Sequence, residues 1–284
     1  MLVKQGLSQR RSCALVEMAR ASFEYRAHPR QDKELLQEIR AIARKHKRYG
    51  YRRAWALIRR KGKKVNVKRI RRLWKQEDLS LSRRRPRKRT RNGSGVPLKA
   101  LFPDHVWTYD FMQDATAEGR RLKILTMVDE FTRESVAIRV ERRMPACVVV
   151  NTLEAVFAER GGPQFLRSDN GPEFIAHGVQ EWLTERGIRT HYIEPASPWQ
   201  NAYGESFNDK LRGECLNMEV FYSLPEAKIV VEAWRQEYNA ERPHSSLGYR
   251  TPNEFRAAFS FSPALRSLRS LGVRAGEREN CCQV

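Results

Sequence analysis

The chain of 284 residues has five cysteines, Cys13, Cys147, Cys215, Cys281 and Cys282. None belongs to a CxxC pair or lies near a histidine pair at zinc spacing, so a structural zinc site is not expected. The adjacent Cys281 and Cys282 stand in a polar tail and are assigned no role. Long apolar runs are also missing. None approaches the ~18 residues of a membrane span, so no membrane segment is expected. The opening "MLVKQGLSQRRSCALVEMAR" has no extended apolar stretch, which argues against a secretory signal. The cysteine usage suits a reducing cytoplasm. A mean hydropathy of −0.68, with 31% charged residues, predicts a soluble chain.

Acidic residues are scarce where basic ones abound. Residues 1–100 carry 32 of the 54 Lys and Arg but only 7 of the 33 Asp and Glu; the remainder holds 22 basic and 26 acidic residues. The extreme is "SRRRPRKRTRNGSG", with Arg83, Arg84, Arg85, Arg87, Lys88 and Arg89. Such a run repels itself and cannot be buried, and it ends in Gly and Ser. A solubilising tail would share this composition, but a tail does not explain a mid-chain position between two structured segments. The run is therefore predicted to be a linker that touches a polyanion, with the salt sensitivity of counterion release.

Upstream, three short helices are expected. "DKELLQEIRAIARKH" puts Leu35, Leu36, Ile39, Ile42 and Ala43 on one stripe, and "YGYRRAWALIRRKG" does the same for Ala54, Leu57 and Ile58. "VNVKRIRRLWKQED" begins at a candidate N-cap, Asn66, and turns Val67, Ile70, Leu73 and Trp74 inward. A tight turn before the last helix gives the pattern of a helix-turn-helix. That helix would present Lys68, Arg69, Arg71, Arg72 and Lys75 to DNA phosphates. A basic helical hairpin that never enters a groove would offer the same face, and base-specific readout is a separate question.

Beyond the linker, strands and helices alternate. Strands are predicted at 105–112, 121–131 and 135–142, a helix in "PACVVVNTLEAVFAERGG", and a short strand in "PQFLRSD". A helix in "HGVQEWLTERG", a strand in "IRTHYIEP" and a helix in "NAYGESFNDKLRGECLN" complete the order β-β-β-α-β-α-β-α. That order predicts a mixed sheet flanked by helices and matches the ribonuclease H-like fold. The fold class is thus α/β with an all-α helix-turn-helix domain before it. The expected organisation is a helical segment at 1–31, a helix-turn-helix-like domain at 32–80, a basic linker at 81–98, a ribonuclease H-like core at 99–260 and a disordered tail at 261–284.

Three carboxylates stand out. Asp110 lies in the first strand, Asp169 ends the fourth in "FLRSDNGPEF", and Glu205 lies in the last helix, 36 positions after Asp169. Should the first and fourth strands be neighbours, Asp110 and Asp169 would face one space at the strand ends, where α/β sites collect. Converging carboxylates repel unless a cation sits among them. Mg²⁺ takes oxygen ligands and keeps waters for a phosphate to replace. A pair of such ions ~3.5–4 Å apart can stabilise both the attacking and the leaving oxygen in phosphoryl displacement. Asn170 and Gly171 let the backbone turn away after Asp169. In the last helix, Asn201, Glu205, Asn208 and Arg212 share one face, while Tyr203, Phe207 and Leu211 look away. Arg212 is placed to hold a phosphate, and an ordinary solvated helix face would look the same in isolation. Glu173 is a candidate for ordering the loop around the site. Asp129 and Glu130 are expected to pair with Arg133, Trp107, Trp182 and Trp234 to be core aromatics, and "ERPHSSLGY" to pack a C-terminal turn. Trp199 is a candidate for stacking on unpaired bases or for packing.

The motifs "HKRYGYRRAWALIRRKG", "VWTYDFMQDATAEGRRLKILTMVDEFTRE", "RSDNGPEF", "PASPWQNAYGESFNDKLRGECLN" and "YNAERPHSSLGYRTPNEF" occur in this order. Through them the chain resembles the second-frame product, OrfB, of bacterial transposases of the insertion sequence 3 family, members of the retroviral integrase-like DDE superfamily. The resemblance runs from about Arg10 to Phe255. It implies a catalytic triad of Asp110, Asp169 and Glu205, with 35 residues between the last two, and it puts the family's basic residue on Arg212 where many relatives have Lys. Gly204 departs from the larger residue common before the Glu, and Phe111-Met112 from a frequent Thr-containing pair. The resemblance further implies two Mg²⁺ ions, replaceable by Mn²⁺, held by the triad. The reaction would be strand cutting that frees a 3′-OH, then attack of that hydroxyl on another phosphodiester, first joining one element end to the other and later inserting a circular intermediate. Implied partners are double-stranded DNA at element ends and target, contacted also by Asn201 and Asn170, further copies of the chain on DNA, and a first-frame OrfA protein, separate or fused. The implied location is bacterial cytoplasm, at the nucleoid. A ribonuclease H-like nuclease without strand transfer, or a catalytically silent DNA-binding protein, would share many of these features.

Overall fold

In the computed structural model, residues 6–25, 32–81, 98–168, 177–193 and 201–260 are described. They divide into two compact units, Met1–Ala41 and Ile42–Val284. The first contains α1 (Gln9–Leu15), α2 (Arg20–Glu24) and the start of α3 (Lys33–Lys45). Ser8 caps α1 by accepting from the backbone N–H of Arg11.

The second unit opens with the rest of α3, then α4 (Tyr51–Arg60) and α5 (Val67–Gln76). The expected stripes are largely inward: Ile42, Ala54, Ile58, Ile70, Leu73 and Trp74 are buried. Asn66 is the N-cap of α5, its side chain accepting from Lys68 N at 2.8 Å. Lys68, Arg71 and Lys75 are exposed, whereas Arg69 and Arg72 are half-buried. The division inside α3 leaves α4 and α5 grouped with the sheet. Ion pairs reach from α4 to the C-terminal elements, Arg53 to Glu214 at 3.0 Å and Arg60 to Glu254 at 2.7 Å, and in the turn before α4 His46, its pKa lowered by burial, contacts Glu237 at 3.2 Å.

The sheet contains β1 (Val106–Ala115), β2 (Arg121–Asp129), β3 (Ser135–Glu141), β4 (Phe165–Ser168) and β5 (Arg189–Tyr192), in the order β3-β2-β1-β4-β5. β1 pairs antiparallel with β2 and β2 with β3, while β4 runs parallel to both β1 and β5. Between strands lie α6 (Ala146–Arg160) and α7 (His177–Glu185); α8 (Ala202–Leu211), a π-helical turn (Arg212–Leu216), α9 (Leu224–Ala240) and α10 (Pro252–Ser260) follow. The chain order is the predicted one. β1 is therefore the neighbour of β4, as the carboxylate argument requires.

The two-residue period of β1 feeds two cores. Trp107 and Tyr109 turn to one face, where they pack with Leu125 and Met127 of the sheet, Val149 and Leu153 of α6 and Trp182 of α7. Met112 turns to the other face and joins Leu122, Ile124 and Val128, Phe207 and Leu211 of α8, and Val231 and Tyr238 of α9. Asp110 shares the parity of Met112. Alternation along one strand thus directs the carboxylate toward the α8 layer.

Two expectations need correction. Glu130 does not pair with the Arg133 guanidinium through its carboxylate. It forms a buried two-pronged pair with Arg167 of β4, at 2.8 and 3.1 Å, while Arg133 donates to the Glu130 backbone carbonyl and stacks on Tyr203 at 3.8 Å. Asp129 is buried and accepts from the backbone N–H groups of Asp104, Phe131 and Thr132, with Arg256 at 3.9 Å. For Glu130 the chain neighbour lost to a residue brought in by sheet pairing, whereas Asp129 is held by its own turn and by Asp104. Trp107 and Trp182 are buried, Trp234 packs against the second core, and His244 is buried beside Tyr238 in the C-terminal turn.

Candidate active site

The site is built where α8 lies along β1. Asn201, the N-cap residue of α8, is buried and its Oδ1 accepts from Thr108 Oγ1 at 2.8 Å. Two turns on, Asn208 Nδ2 donates to Asp110 Oδ2 at 2.8 Å, and Asn208 Oδ1 accepts from Thr126 Oγ1 at 2.9 Å. Arg212, the C-cap residue, donates from Nη2 to the Gln113 carbonyl at 2.7 Å. The contacts advance together along both elements, from Thr108 to Gln113 and from Asn201 to Arg212. At ~1.5 Å per helical residue and ~3.3 Å per strand residue, each path covers roughly 16 Å. The helix therefore runs in the direction of β1, one polar stripe against one strand.

Glu205 sits on that stripe, three residues before Asn208 and half-buried. The Asp110–Asn208 bond therefore fixes the first carboxylate against the helix that carries the second. The other oxygen of Asp110, Oδ1, accepts from the Phe111 backbone N–H at 2.7 Å. Thr126 tightens the same corner, its one hydroxyl hydrogen shared between Asn208 Oδ1 and the Asp110 carbonyl, which lies 3.2 Å away. Two amides, two hydroxyls and a backbone N–H thus orient the site, and the donors available to a cation are carboxylate oxygens. Such a set suits a hard divalent ion better than a soft one.

Gly204 is what permits the close approach. A Cβ there would stand 2.6 Å from Asn201 Oδ1 and 3.2 Å from Thr108 Oγ1. On the other side of the helix, Phe207 and Leu211 are buried in the second core. Burial of each such side chain contributes about 1.5–3 kcal/mol.

Of the sequence-expected residues, Asn201, Glu205 and Arg212 fall on this one stripe of α8, and Asp110 meets it from β1. Asn201 and Arg212 are both engaged by β1. Asp169, Asn170, Glu173, Trp199 and the basic run with Arg83, Arg84, Arg85, Arg87, Lys88 and Arg89 lie outside the described residues. Lys68, Arg69, Arg71, Arg72 and Lys75 all lie on α5. The anchoring roles of Thr108, Thr126 and Asn208 were the less legible part. Asn208 was visible on the helix face, but the two threonines carry meaning only once β1 and β2 are paired.

The integrase core domain family matches residues 102–198 and again 186–252, and an HTH-like domain family matches residues 30–88. A 31.7 kDa protein of insertion element IS407 from Burkholderia multivorans is 41% identical over 259 residues, covering 89% of this chain and 92% of the relative. A 39.2 kDa protein of insertion element IS476 from Xanthomonas euvesicatoria is 41% identical, covering 91% and 75%. The putative transposase InsK of element IS150 from Escherichia coli is 29% identical over 84% of this chain and 90% of the relative. Among solved structures, a simian T-cell lymphotropic virus intasome, in complex with a PP2A regulatory subunit, superposes with a TM-score of 0.50 at 16% identity, over 71% of this chain and 69% of that one. The fold is the ribonuclease H-like one of integrase cores, and among the described residues no helix is long and apolar enough to cross a membrane. A matching integrase core that fills most of the chain, an HTH-like module before it and insertion-element relatives along nearly its whole length place the chain among the OrfB transposases of the insertion sequence 3 family, DDE-type polynucleotidyl transferases.

Proposed function

We propose that this transposase cuts one DNA strand at each end of its element and joins the freed 3′-OH to another phosphodiester, with Asp110, Asp169 and Glu205 as the catalytic carboxylates. The observation that supports this most directly is the Asn208–Asp110 bond, which holds one carboxylate against the helix that bears another. For Asp169 the support is positional. The parallel register pairs Thr108 with Arg167, and Asp110 and Asp169 each stand two residues further along. The three would hold two Mg²⁺ ions, or Mn²⁺ in their place, which supply charge neutralisation at the reacting phosphate and activation of the attacking oxygen. The chain's own part is positioning. Asn208, the Phe111 N–H and Thr126 hold Asp110, the Thr108–Asn201 bond sets the start of α8, and Arg212, two turns past Glu205, would offer its guanidinium to a DNA phosphate. Residues 32–80 would grip duplex DNA, and the 81–98 linker with Arg83 to Arg89 would follow its backbone. The active assembly would be several copies on nucleoid DNA in the cytoplasm, together with the first-frame OrfA partner.

The test is a set of three variants, Asp110→Asn, Asp169→Asn and Glu205→Gln, assayed for cutting, joining and binding on the same preparations. Each is expected to abolish cutting and joining while leaving gel-shift affinity nearly intact. Retained cutting in any one would remove that residue from the triad. Mg²⁺ and Mn²⁺ should support turnover, Ca²⁺ only binding, and activity in excess EDTA would refute the metal requirement. A pre-cut 3′-OH end that is never joined to target DNA would make the enzyme a nuclease.

A further inference from the structure

About 100° round α8 from Glu205, at 3.6 residues per turn, lies a second stripe of Ala202, Ser206 and Lys210. It forms one wall of a cavity of about 340 Å³. Arg53 of α4, Arg133 of the β2–β3 turn and Arg242 after α9 form other walls, with the exposed Ser245 and Ser246 at the rim. Four cationic side chains therefore meet at one cavity. The carboxylate facing this group is Glu214, already held by Arg53 at 3.0 Å and by Arg242 at 2.6 and 2.7 Å. Lys210 is not satisfied that way. Its ammonium donates to the Ser206 carbonyl at 2.6 Å and the Ser206 hydroxyl at 2.7 Å, and among the described residues it forms no ion pair.

The charges leave a signature on their neighbours. Burial, then Arg242, push Lys210 down to about 8 despite Glu214, and Arg53 and Arg133 push the same way. Burial and the same four cations hold His244 neutral, down to about 2. Concentrated positive charge in a half-buried cavity is costly until an anion enters. Arginine forks, a lysine ammonium and serine hydroxyls together are the donor set of phosphate recognition.

We infer that this cavity is a phosphate site, in which Lys210, Arg133 and Arg53 receive one backbone phosphate of the DNA bound at the active site. The inference rests on the proposed transposase reading for the source of the phosphate. Lys210 stands five residues beyond Glu205, roughly 7–8 Å along the helix. A phosphate held there would fix the strand's path past the catalytic carboxylates, and it would tie α4 to α8 whenever DNA is bound. The cavity is distinct from the Asp110 stripe, because none of its lining residues belongs to the Asn201, Glu205, Asn208 and Arg212 face.

The test uses the full chain and its Lys210→Met and Lys210→Arg variants. Inorganic phosphate, compared with chloride at equal ionic strength, is expected to raise the unfolding midpoint of the parent and of Lys210→Arg, and to leave that of Lys210→Met unmoved. Duplex DNA carrying an element end should bind Lys210→Met with a log K against log salt slope smaller by about 0.9, the value for one phosphate contact. An unchanged phosphate response together with an unchanged slope would overturn the site. A lost phosphate response with an unchanged slope would show a free-anion site and overturn the DNA assignment. Should Lys210→Met not fold, Ser246→Glu puts a carboxylate at the exposed rim and should lose both responses. Because neither readout requires strand cutting, a chain that binds phosphate here but never cuts DNA would refute the catalytic reading and leave the site standing.

Discussion

Asn208 donates one side-chain hydrogen bond to Asp110 Oδ2 at 2.8 Å and accepts another from Thr126 at 2.9 Å, so a single amide joins α8, β1 and β2 at the Asp110 carboxylate. An amide is well matched to this place. It donates a hydrogen bond to the carboxylate and accepts one from the hydroxyl, and a carboxylate there could do only the second. Asn208→Ala should therefore lower kcat for strand cutting by roughly 10–100-fold, the range for loss of a group that orients a metal ligand. The KM for DNA should change little. Asn208→Asp should be worse, because two carboxylates then face each other and one must take up a proton. Its activity should recover in part as the pH is lowered. Equal activity of Asn208→Ala and the parent in single-turnover cutting would remove the orienting role.

Gly204 makes a second prediction about the same seam. A methyl group at that position meets Asn201 Oδ1 at 2.6 Å, and Asn201 is not free to swing away without losing its bond to Thr108. Gly204→Ala should cost about 1–2 kcal/mol of stability, the scale of one lost hydrogen bond plus local overpacking. In thermal unfolding that corresponds to a fall of roughly 2–8 °C, at about 2–4 °C per kcal/mol for a domain of this size. The double variant Gly204→Ala/Asn201→Ala should recover part of the loss. A stable Gly204→Ala with normal cutting would show that α8 can shift on β1 without consequence.

The order of elements and the α8 stripe could be read from the chain because both rest on local periodicity. Alternation in "VWTYDFM" separates Trp107 and Tyr109 from Asp110 and Met112, and the helical spacing from Asn201 to Arg212 needs no tertiary knowledge. Partners set by sheet pairing could not be read this way. Glu130 and Arg167 are 37 residues apart and meet only because β4 lies beside β1, so Arg133, the near neighbour in sequence, looked the better partner for Glu130. α9 was missed for a different reason. Its apolar residues do not keep to one face: Ile229 is 70% exposed while Asn239 is 6% exposed and bonds Ser135. The sequence did carry a sign of its start, since Ser223 and Glu226 form a capping box with Pro225 in the first turn.

Glu214 yields a prediction in pH. Burial alone would raise its carboxyl, but hydrogen bonds and charge from Arg242, together with the field of Arg53, outweigh burial and hold it below the usual glutamate range. A carboxyl depressed in the folded state contributes stability that is fully present above its unfolded value and is lost as pH falls through the folded one. The Glu214 part of the urea-midpoint profile should therefore be flat from neutral pH to about 5 and should fall steeply below about 4.5, the ordinary glutamate value, on top of the loss that the buried, neutral His244 brings below about 6.5. In Glu214→Gln that part of the acid dependence should be missing. At neutral pH the same variant should lose about 3–5 kcal/mol, because it leaves the buried Arg242 without its counter-charge. An acid limb of unchanged depth in Glu214→Gln would place the responsible carboxylate elsewhere, with Asp104 and its partners Arg160 and Arg256 the next to test.

The last prediction concerns how the basic third meets DNA. Expecting all five cations of α5 to point outward treats the helix as having one uniform polar side. The structure separates them: Lys68, Arg71 and Lys75 are exposed, while Arg69 and Arg72 are half-buried, and Arg72 reaches Gln76 at 3.4 Å. Replacing the exposed three with Ala should therefore remove phosphate contacts without disturbing the helix, lowering the slope of log K against log salt by up to about 2.7 at roughly 0.9 per contact. The loss of affinity should be equal for element ends and random duplex, because phosphate contacts carry no sequence information. Arg69→Ala and Arg72→Ala should instead lower the unfolding midpoint, by packing lost from their aliphatic stems, and weaken DNA binding less than the exposed set. A triple variant that loses discrimination for element ends while holding its affinity for random DNA would mean that these side chains read bases, and that α5 enters the major groove as a recognition helix.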